Sequence, residues 1–152
     1  MKKKTLILAA ALLLLISGSV FGTAIGVQGG LDFLGTPYAS NLSVSLKLDS
    51  LPVMFGAGWN FQNEVAVGLS ADWWLYNEKL IEVVDIYLGP GVFAGFSIGS
   101  KTSVWAGPRL AAGFQIFLVD PLEIFLEVDP YLTLLPNIRL GFQGTAGLRF
   151  WF

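Results

Sequence analysis

The chain has 152 residues, of which 54% are hydrophobic and 13% are charged, whereas a soluble domain usually carries about 25% charged residues. It contains no cysteine and no histidine, which excludes disulfides, thiolate or imidazole metal ligands, and Ser-His or Cys-His nucleophilic systems. The formal net charge is −2, and without Lys2, Lys3 and Lys4 six bases face eleven acids. This balance offers no basic surface to nucleic acid.

The first 22 residues are predicted to be a cleavable signal peptide. Three lysines follow Met1, a short apolar segment runs from Thr5 to Ile16, and residues 17–22 are mostly small. The apolar run is shorter than the roughly 20 residues that a helix needs to span a bilayer. We therefore expect secretion across the inner membrane, cleavage after Gly22 or alternatively after Ser19, and a single mature domain from 23 to 152.

The mature chain alternates between apolar and small or polar residues with period two, which predicts β-strands rather than helices. Turn residues separate the alternating runs, among them Asn77-Glu-Lys between the fourth and the fifth. Proline removes a donor from a strand ladder, so bulges or breaks are expected at Pro90, Pro108 and Pro130. The eight runs are 24–33, 42–49, 53–61, 65–76, 83–98, 103–118, 122–134 and 138–152.

Successive residues of a strand face opposite sides of a sheet, and every charge selected within the runs falls on the polar, glycine-rich face. The opposite face carries large apolar side chains on every run. The five acids and four bases nearly balance, which favours mutual pairing. The selected residues are Lys47, Asp72, Asp85, Arg109, Glu123, Glu127, Asp129, Arg139 and Arg149.

Two barrels fit this alternation. A soluble barrel places the apolar face inside, whereas an outer-membrane barrel places it against lipid and the polar face in the lumen. The polar face has too few charges for a water-covered surface, and an eight-stranded interior could hardly hold so many large apolar side chains. We therefore predict an all-β fold, an eight-stranded antiparallel transmembrane barrel, in which reversing Arg139 or Arg149 to Glu leaves lumen acids unpaired and destabilises the fold.

The aromatic residues are predicted to divide between the two faces. Tryptophans with lumen parity are expected to help fill the interior: Trp74, Trp105 and Trp151. Aromatic residues with the opposite parity are expected to form belts at the two membrane interfaces. Trp59 and Phe61 form the outer belt, and Trp73, Phe150 and Phe152 the inner one.

The C-terminus resembles the terminal signal of bacterial outer-membrane barrels, because Thr145, Gly147, Phe150 and Phe152 occupy its polar, glycine and aromatic places. The resemblance implies recognition by the barrel-assembly machinery.

Residues 88–93 and 120–136 carry a second resemblance. They resemble a spirochaete family of small eight-stranded outer-membrane barrels, with the architecture of OmpA- and OmpX-like proteins. This resemblance covers roughly the last 70 residues and includes no catalytic motif, so it implies a fold and a compartment rather than an activity.

The sequence predicts no enzyme, cofactor or metal site, and its expected partner is outer-membrane lipid. Three functions stay open. The first is a structural or surface-interaction barrel with a plugged, ion-paired lumen, for which Tyr38 is the candidate external contact. The second is a narrow porin-like channel for water, ions or small solutes. The third is a soluble periplasmic ligand-binding barrel with the two faces exchanged.

Overall fold

A computed structural model describes residues 23–33, 40–48, 51–60, 65–99 and 101–152. The predicted signal peptide, Tyr38 and Phe61 lie outside these residues. No helix in the described part of the chain is both long and apolar enough to span a bilayer.

The described residues form nine strand segments and no helix. Their boundaries agree with most of the predicted runs to within a few residues. The segments are β1 (Ala24–Asp32), β2 (Ser40–Lys47), β3 (Val53–Asn60), β4 (Val65–Trp73), β5 (Tyr76–Ile81), β6 (Val84–Ile98), β7 (Ser103–Val119), β8 (Leu122–Thr133) and β9 (Arg139–Trp151).

The nine segments make eight barrel strands, because β4 and β5 are consecutive parts of one strand that both pair with β6. Each remaining strand pairs antiparallel with its neighbours in the chain, and β1 pairs with β9. The β4–β6 pairing closes the sheet. The predicted eight-stranded antiparallel barrel is confirmed.

The register of the strands fixes the width of the barrel. Following the paired residues once around the wall from Val84 leads to Ala94 on the same strand, a stagger of ten residues. With a rise of about 3.3 Å per residue and a strand spacing of about 4.8 Å, this stagger corresponds to a strand tilt of about 40°. A barrel of this size has an interior that side chains can fill.

The two faces of the wall differ as the alternation predicts. Large apolar side chains point outward and are exposed on every barrel strand, for example Val27, Leu69 and Leu126 at 56%, 61% and 53%. Charged and polar side chains such as Glu123 and Asp129 point inward and are buried. The exchanged assignment of the two faces, on which the soluble alternative depends, is wrong.

The fourth predicted run ends too early. The sequence predicts a turn at Asn77-Glu-Lys, but these residues lie within β5, and the turn falls at residues 82–83. Asn77 pairs with Tyr87 on β6. Pairing with a neighbouring strand therefore overrides the local turn propensity of Asn77-Glu-Lys.

The prediction of bulges or breaks at the prolines is confirmed for one ladder beside each proline, although Pro90, Pro108 and Pro130 lie inside β6, β7 and β8 and do not end these strands. Pairing on one side of β6 stops at Asp72–Gly91 and resumes at Tyr76–Leu88 with a shift of one residue, so it skips Pro90. The β7–β8 ladder skips Pro130 between Arg109–Tyr131 and Ala112–Val128, and beyond Pro108 it resumes at Ala106–Leu135 with a shift of one residue. Further register shifts lie between Lys79 and Ile81 and between Phe117 and Val119. A strand residue directs its N–H toward one neighbour only, so a proline weakens one ladder and spares the other. Pro130 accordingly pairs with Phe142 on β9.

Candidate functional site: the barrel interior

The end of the interior near Ala24 and Trp151 contains a buried ion pair. Glu123 on β8 lies directly opposite Arg149 on β9, and Arg149 Nη1 donates to Glu123 Oε1 at 2.5 Å. The other carboxylate oxygen accepts a hydrogen bond from Trp151 Nε1 at 2.7 Å. The side chains of Arg149 and Glu123 are 1% and 0% exposed, so both charges are removed from water.

Aromatic rings surround this ion pair. The Arg149 guanidinium lies 3.5 Å from the centroid of the Phe125 ring and 5.3 Å from that of Trp74. Trp74 stacks on Tyr87 with a centroid separation of 4.1 Å. The three aromatic side chains are at most 4% exposed. Together with the ion pair they fill this part of the interior. We take this end of the barrel as its lower end and call these five residues the lower plug: Trp74, Tyr87, Glu123, Phe125 and Arg149.

Arg109 forms a second cluster in the middle of the barrel. Its Nε donates to Asp72 Oδ1 at 2.6 Å and its Nη2 donates to Asp72 Oδ2. Glu127 Oε1 and Asp129 Oδ2 lie 3.6 Å and 3.8 Å from its terminal nitrogens. Tyr87 connects this cluster to the lower plug, because its hydroxyl donates to Glu127 Oε2 at 2.6 Å.

Three of the nine charges selected from the sequence lie outside these clusters. Lys47 donates to the backbone carbonyls of Leu48 and Leu51 at 2.9 Å. Asp85 is half-buried near the start of β6. Arg139 is the exposed first residue of β9. Strand parity gives the face of a residue and not its height along the barrel, so parity could not separate Arg139 from the interior bases.

The inward face carries one half-buried acid that was not selected from the sequence. Asp32 on β1 also points inward, and its Oδ2 accepts a hydrogen bond from Tyr131. Asp32 shares the parity of Gln28, so the alternation of the first run could have identified it. Within the described residues, the buried or half-buried charges of the inward face are six acids, Asp32, Asp72, Asp85, Glu123, Glu127 and Asp129, and three bases, Lys47, Arg109 and Arg149. Lys79 and Arg139 share this face, opposite Asp85 and Thr133, but are exposed.

Phe125 was also missed by sequence reasoning. It lies between Glu123 and Glu127 on the inward face of β8 and is 0% exposed. The signal was present in the sequence, because Phe125 shares the parity of the two acids rather than that of Leu122 and Leu126.

The interior opens into a cavity at the other end of the barrel, near the ends of β1 and β3 and the start of β2. It contains about 760 Å³ of space free of protein atoms, its open mouth included. Arg109 contributes to its floor, and Asp32, Asn41 and Asn60 stand at its rim. Residues with side-chain amides, hydroxyls and aromatic rings line the remainder, including Gln28, Gln143, Ser43, Ser70, Thr145, Phe93, Trp105 and Tyr131.

The residues of the predicted C-terminal signal divide between the two faces of β9. Phe150 and Phe152 point outward, are 45% and 60% exposed, and contact each other edge to face with ring centroids 5.1 Å apart. Thr145 is buried on the inward face. Gly147 packs closely against Gln28 and Phe125, where a Cβ would have contacts of 2.6 Å and 2.7 Å.

The predicted aromatic positions lie on both sides of the wall. Trp73 points outward and is 52% exposed, whereas Trp74 and Trp105 are buried inside at 4% and 2%. Among the described residues, no group of three acids is arranged to hold a metal ion.

Comparison with solved structures identifies the fold. The N-terminal β-barrel domain of Pseudomonas aeruginosa OprF matches with a TM-score of 0.64 and 14% identity, covering 86% of this chain and 97% of that one. Neisserial surface protein A matches with a TM-score of 0.47, 15% identity and coverages of 86% and 95%. Ail of Yersinia pestis matches with a TM-score of 0.42, 12% identity and coverages of 86% and 97%.

No protein-family model and no curated protein matches the sequence. The OprF barrel domain supports the OmpA- and OmpX-like architecture. At 14% identity it supports the fold alone, and the spirochaete resemblance stays a prediction.

Proposed function

We propose that the chain is a small integral outer-membrane barrel with a structural or surface-interaction role and a largely closed lumen. In this proposal residues 1–22 direct secretion across the inner membrane, and the barrel-assembly machinery reads Thr145, Gly147, Phe150 and Phe152. The apolar exterior supports contact with lipid, since exposed apolar patches of this extent are rare on soluble monomers.

The lower plug is the observation that carries the closed-lumen proposal. A guanidinium, a carboxylate and three aromatic rings lie across the interior at 0–4% exposure. An eight-stranded barrel leaves little space beyond that of its own side chains. Solute passing from one end to the other would have to displace this group and expose the buried Arg149–Glu123 pair.

A narrow channel is the alternative, and two observations favour it. The cavity above Arg109 already provides part of a path, and among the buried or half-buried charges of the inward face the acids outnumber the bases. A lumen with excess carboxylates attracts cations. If the barrel conducts, we therefore expect it to prefer cations.

The proposal includes no catalytic role. The two carboxylates that could form an acid–base pair are engaged structurally, because Glu123 accepts hydrogen bonds from Arg149 and Trp151. Glu127 accepts one from Tyr87.

The first experiment is gel migration of residues 23–152 refolded in detergent, with and without boiling, followed by flotation of the refolded chain with lipid vesicles. We expect a boiling-dependent shift and co-flotation, as for a detergent-resistant barrel embedded in lipid. A chain that stays soluble without detergent and does not float would contradict the membrane location.

A further inference from the structure

We propose that the cavity above Arg109 binds a small, uncharged, polyhydroxylated solute of about the size of a monosaccharide. This inference rests on the barrel fold and goes beyond the proposed structural role. It is independent of whether the lumen conducts.

Small residues create the space on one side of the cavity. A single row of paired residues crosses five strands in the order Ser43, Gly58, Gly68, Gly95, Trp105. The Trp105 indole occupies the position in which a Cβ at Gly95 would lie. Because the indole covers Gly95, the open part of the row is Gly58 and Gly68, which line the cavity. These two glycines leave a shallow trough in the wall, and a flat, partly apolar ring fits such a surface.

Long polar side chains form the opposite side. Gln28 and Gln143 line the cavity from β1 and β9, and Asn41 and Asn60 stand at its rim. A side-chain amide both donates and accepts hydrogen bonds, as a hydroxyl does. The Oε1 atom of Gln28 has no hydrogen-bond partner among the described residues, so this acceptor is not committed to a protein donor. The atom is covered in the structure, and a solute reaches it when the side chain rotates toward the cavity.

The charges of the lining favour an uncharged ligand. Within the described residues, only Asp32 and Arg109 carry charge on the cavity wall. Asp72 binds the Arg109 guanidinium through both carboxylate oxygens, and Glu127 and Asp129 lie within 4 Å of it. Arg109 is therefore neutralised by acids and is a poor anion site. Asp32 is already hydrogen-bonded by Tyr131.

The experiment is equilibrium dialysis of the refolded barrel against labelled glucose, in a detergent without a sugar head group. We expect saturable binding with a Kd of about 1 mM, because a ligand with so few atoms makes few contacts and its total binding free energy is small. Inorganic phosphate and choline serve as anionic and cationic probes of similar size. Saturable binding of either one in place of glucose would overturn the proposal, as would no saturation by glucose up to about 100 times that Kd.

Three glutamine variants locate the site. Gln28→Met and Gln143→Met keep the side-chain volume and remove the amide, and each is expected to weaken glucose binding at least tenfold. Gln115→Met is the matched control, because Gln115 is also buried in the interior but lies outside the cavity lining. Equal losses in all three variants, or a loss in Gln115→Met alone, would contradict the assignment.

Folding is measured separately by the boiling-dependent gel shift. Variants that keep the shift report on the cavity. If the unmodified chain shows no shift, it does not form a detergent-resistant barrel and the proposed function fails. A shift without glucose binding overturns only this inference.

Discussion

Arg149 and Glu123 face each other directly across β8 and β9, 2.5 Å apart, with side-chain exposures of 1% and 0%. Removing both charges from water is costly, and their attraction offsets this cost only while both partners are present. The hydrogen bond from Trp151 to the second Glu123 oxygen completes the pairing. This part of the interior is therefore sensitive to the loss of one charge.

Replacing Arg149 with Met is expected to lower the free energy of unfolding by about 3–5 kcal/mol, because it leaves the Glu123 carboxylate buried without its cation. The measurement is the urea midpoint of the refolded barrel, followed by the gel shift. The control is Arg139→Met, at an exposed position, for which a change within about 0.5 kcal/mol is expected. Equal effects at the two positions would show that burial of the Arg149–Glu123 pair does not determine its contribution to the free energy of unfolding.

The geometry of the Arg109 cluster predicts that loss of Arg109 costs more stability than loss of its partner Asp72. Arg109→Met removes the cation shared by three acids, so we expect it to cost about 3–5 kcal/mol. Asp72→Asn should cost less, about 1–3 kcal/mol, since Glu127 and Asp129 still lie 3.6 Å and 3.8 Å from the guanidinium. Urea midpoints of the two variants give the comparison, and a larger loss in Asp72→Asn would contradict the shared role of Arg109.

Two glycines differ in the space available to a side chain. A Cβ at Gly107 would overlap the backbone carbonyl of Leu132, whereas the nearest atom to a Cβ at Gly29 is an Asn41 carbonyl oxygen 3.9 Å away. A backbone carbonyl on a paired strand cannot move aside as a flexible side chain can. We expect Gly107→Ala to abolish the boiling-dependent gel shift and Gly29→Ala to retain it. Retention of the shift by both variants would refute the close approach at Gly107.

The face of each strand was predictable because period-two alternation follows directly from strand geometry. The same rule placed Glu123, Glu127 and Asp129 on one side of β8, and the structure agrees. Parity does not give height, so Arg139 was grouped with interior charges although it lies exposed at the start of β9.

Contacts between strands were not predictable from local sequence. Tyr87 and Glu127 are 40 residues apart and meet only through the registers of β6, β7 and β8. The same limit explains the error at Asn77, where the sequence resembles a turn but the pairing partner on β6 extends the strand. Each of these features depends on register, which one strand alone does not encode.

The exterior predicts how a charge placed against lipid behaves. Leu69 points outward from the middle of β4 and is 61% exposed. Leu69→Arg is expected to lower the free energy of unfolding in lipid vesicles by about 2–4 kcal/mol, because the guanidinium would lie in the hydrocarbon region. Leu69→Ile is the control and should change it by less than about 1.5 kcal/mol. A neutral effect of Leu69→Arg would indicate that this surface does not contact lipid.

The lower plug predicts the conductance of the barrel. In planar bilayers we expect no steady current through the unmodified chain, because Tyr87 and Phe125 are buried across the interior at 2% and 0% exposure. The variant carrying both Tyr87→Ala and Phe125→Ala should conduct, with a preference for cations that follows from the excess of carboxylates among the buried and half-buried inward charges.

Leu69→Ala is the control for the double variant. It also truncates an apolar side chain to alanine, but on the outward face, and should leave the current at the baseline. Steady conductance in the unmodified chain, equal to that of the double variant, would replace the closed barrel with the narrow channel. A double variant that shows the gel shift but stays silent would instead place the barrier at another level, such as the Arg109–Asp72 pair, and would remove the lower plug as the element that closes the lumen.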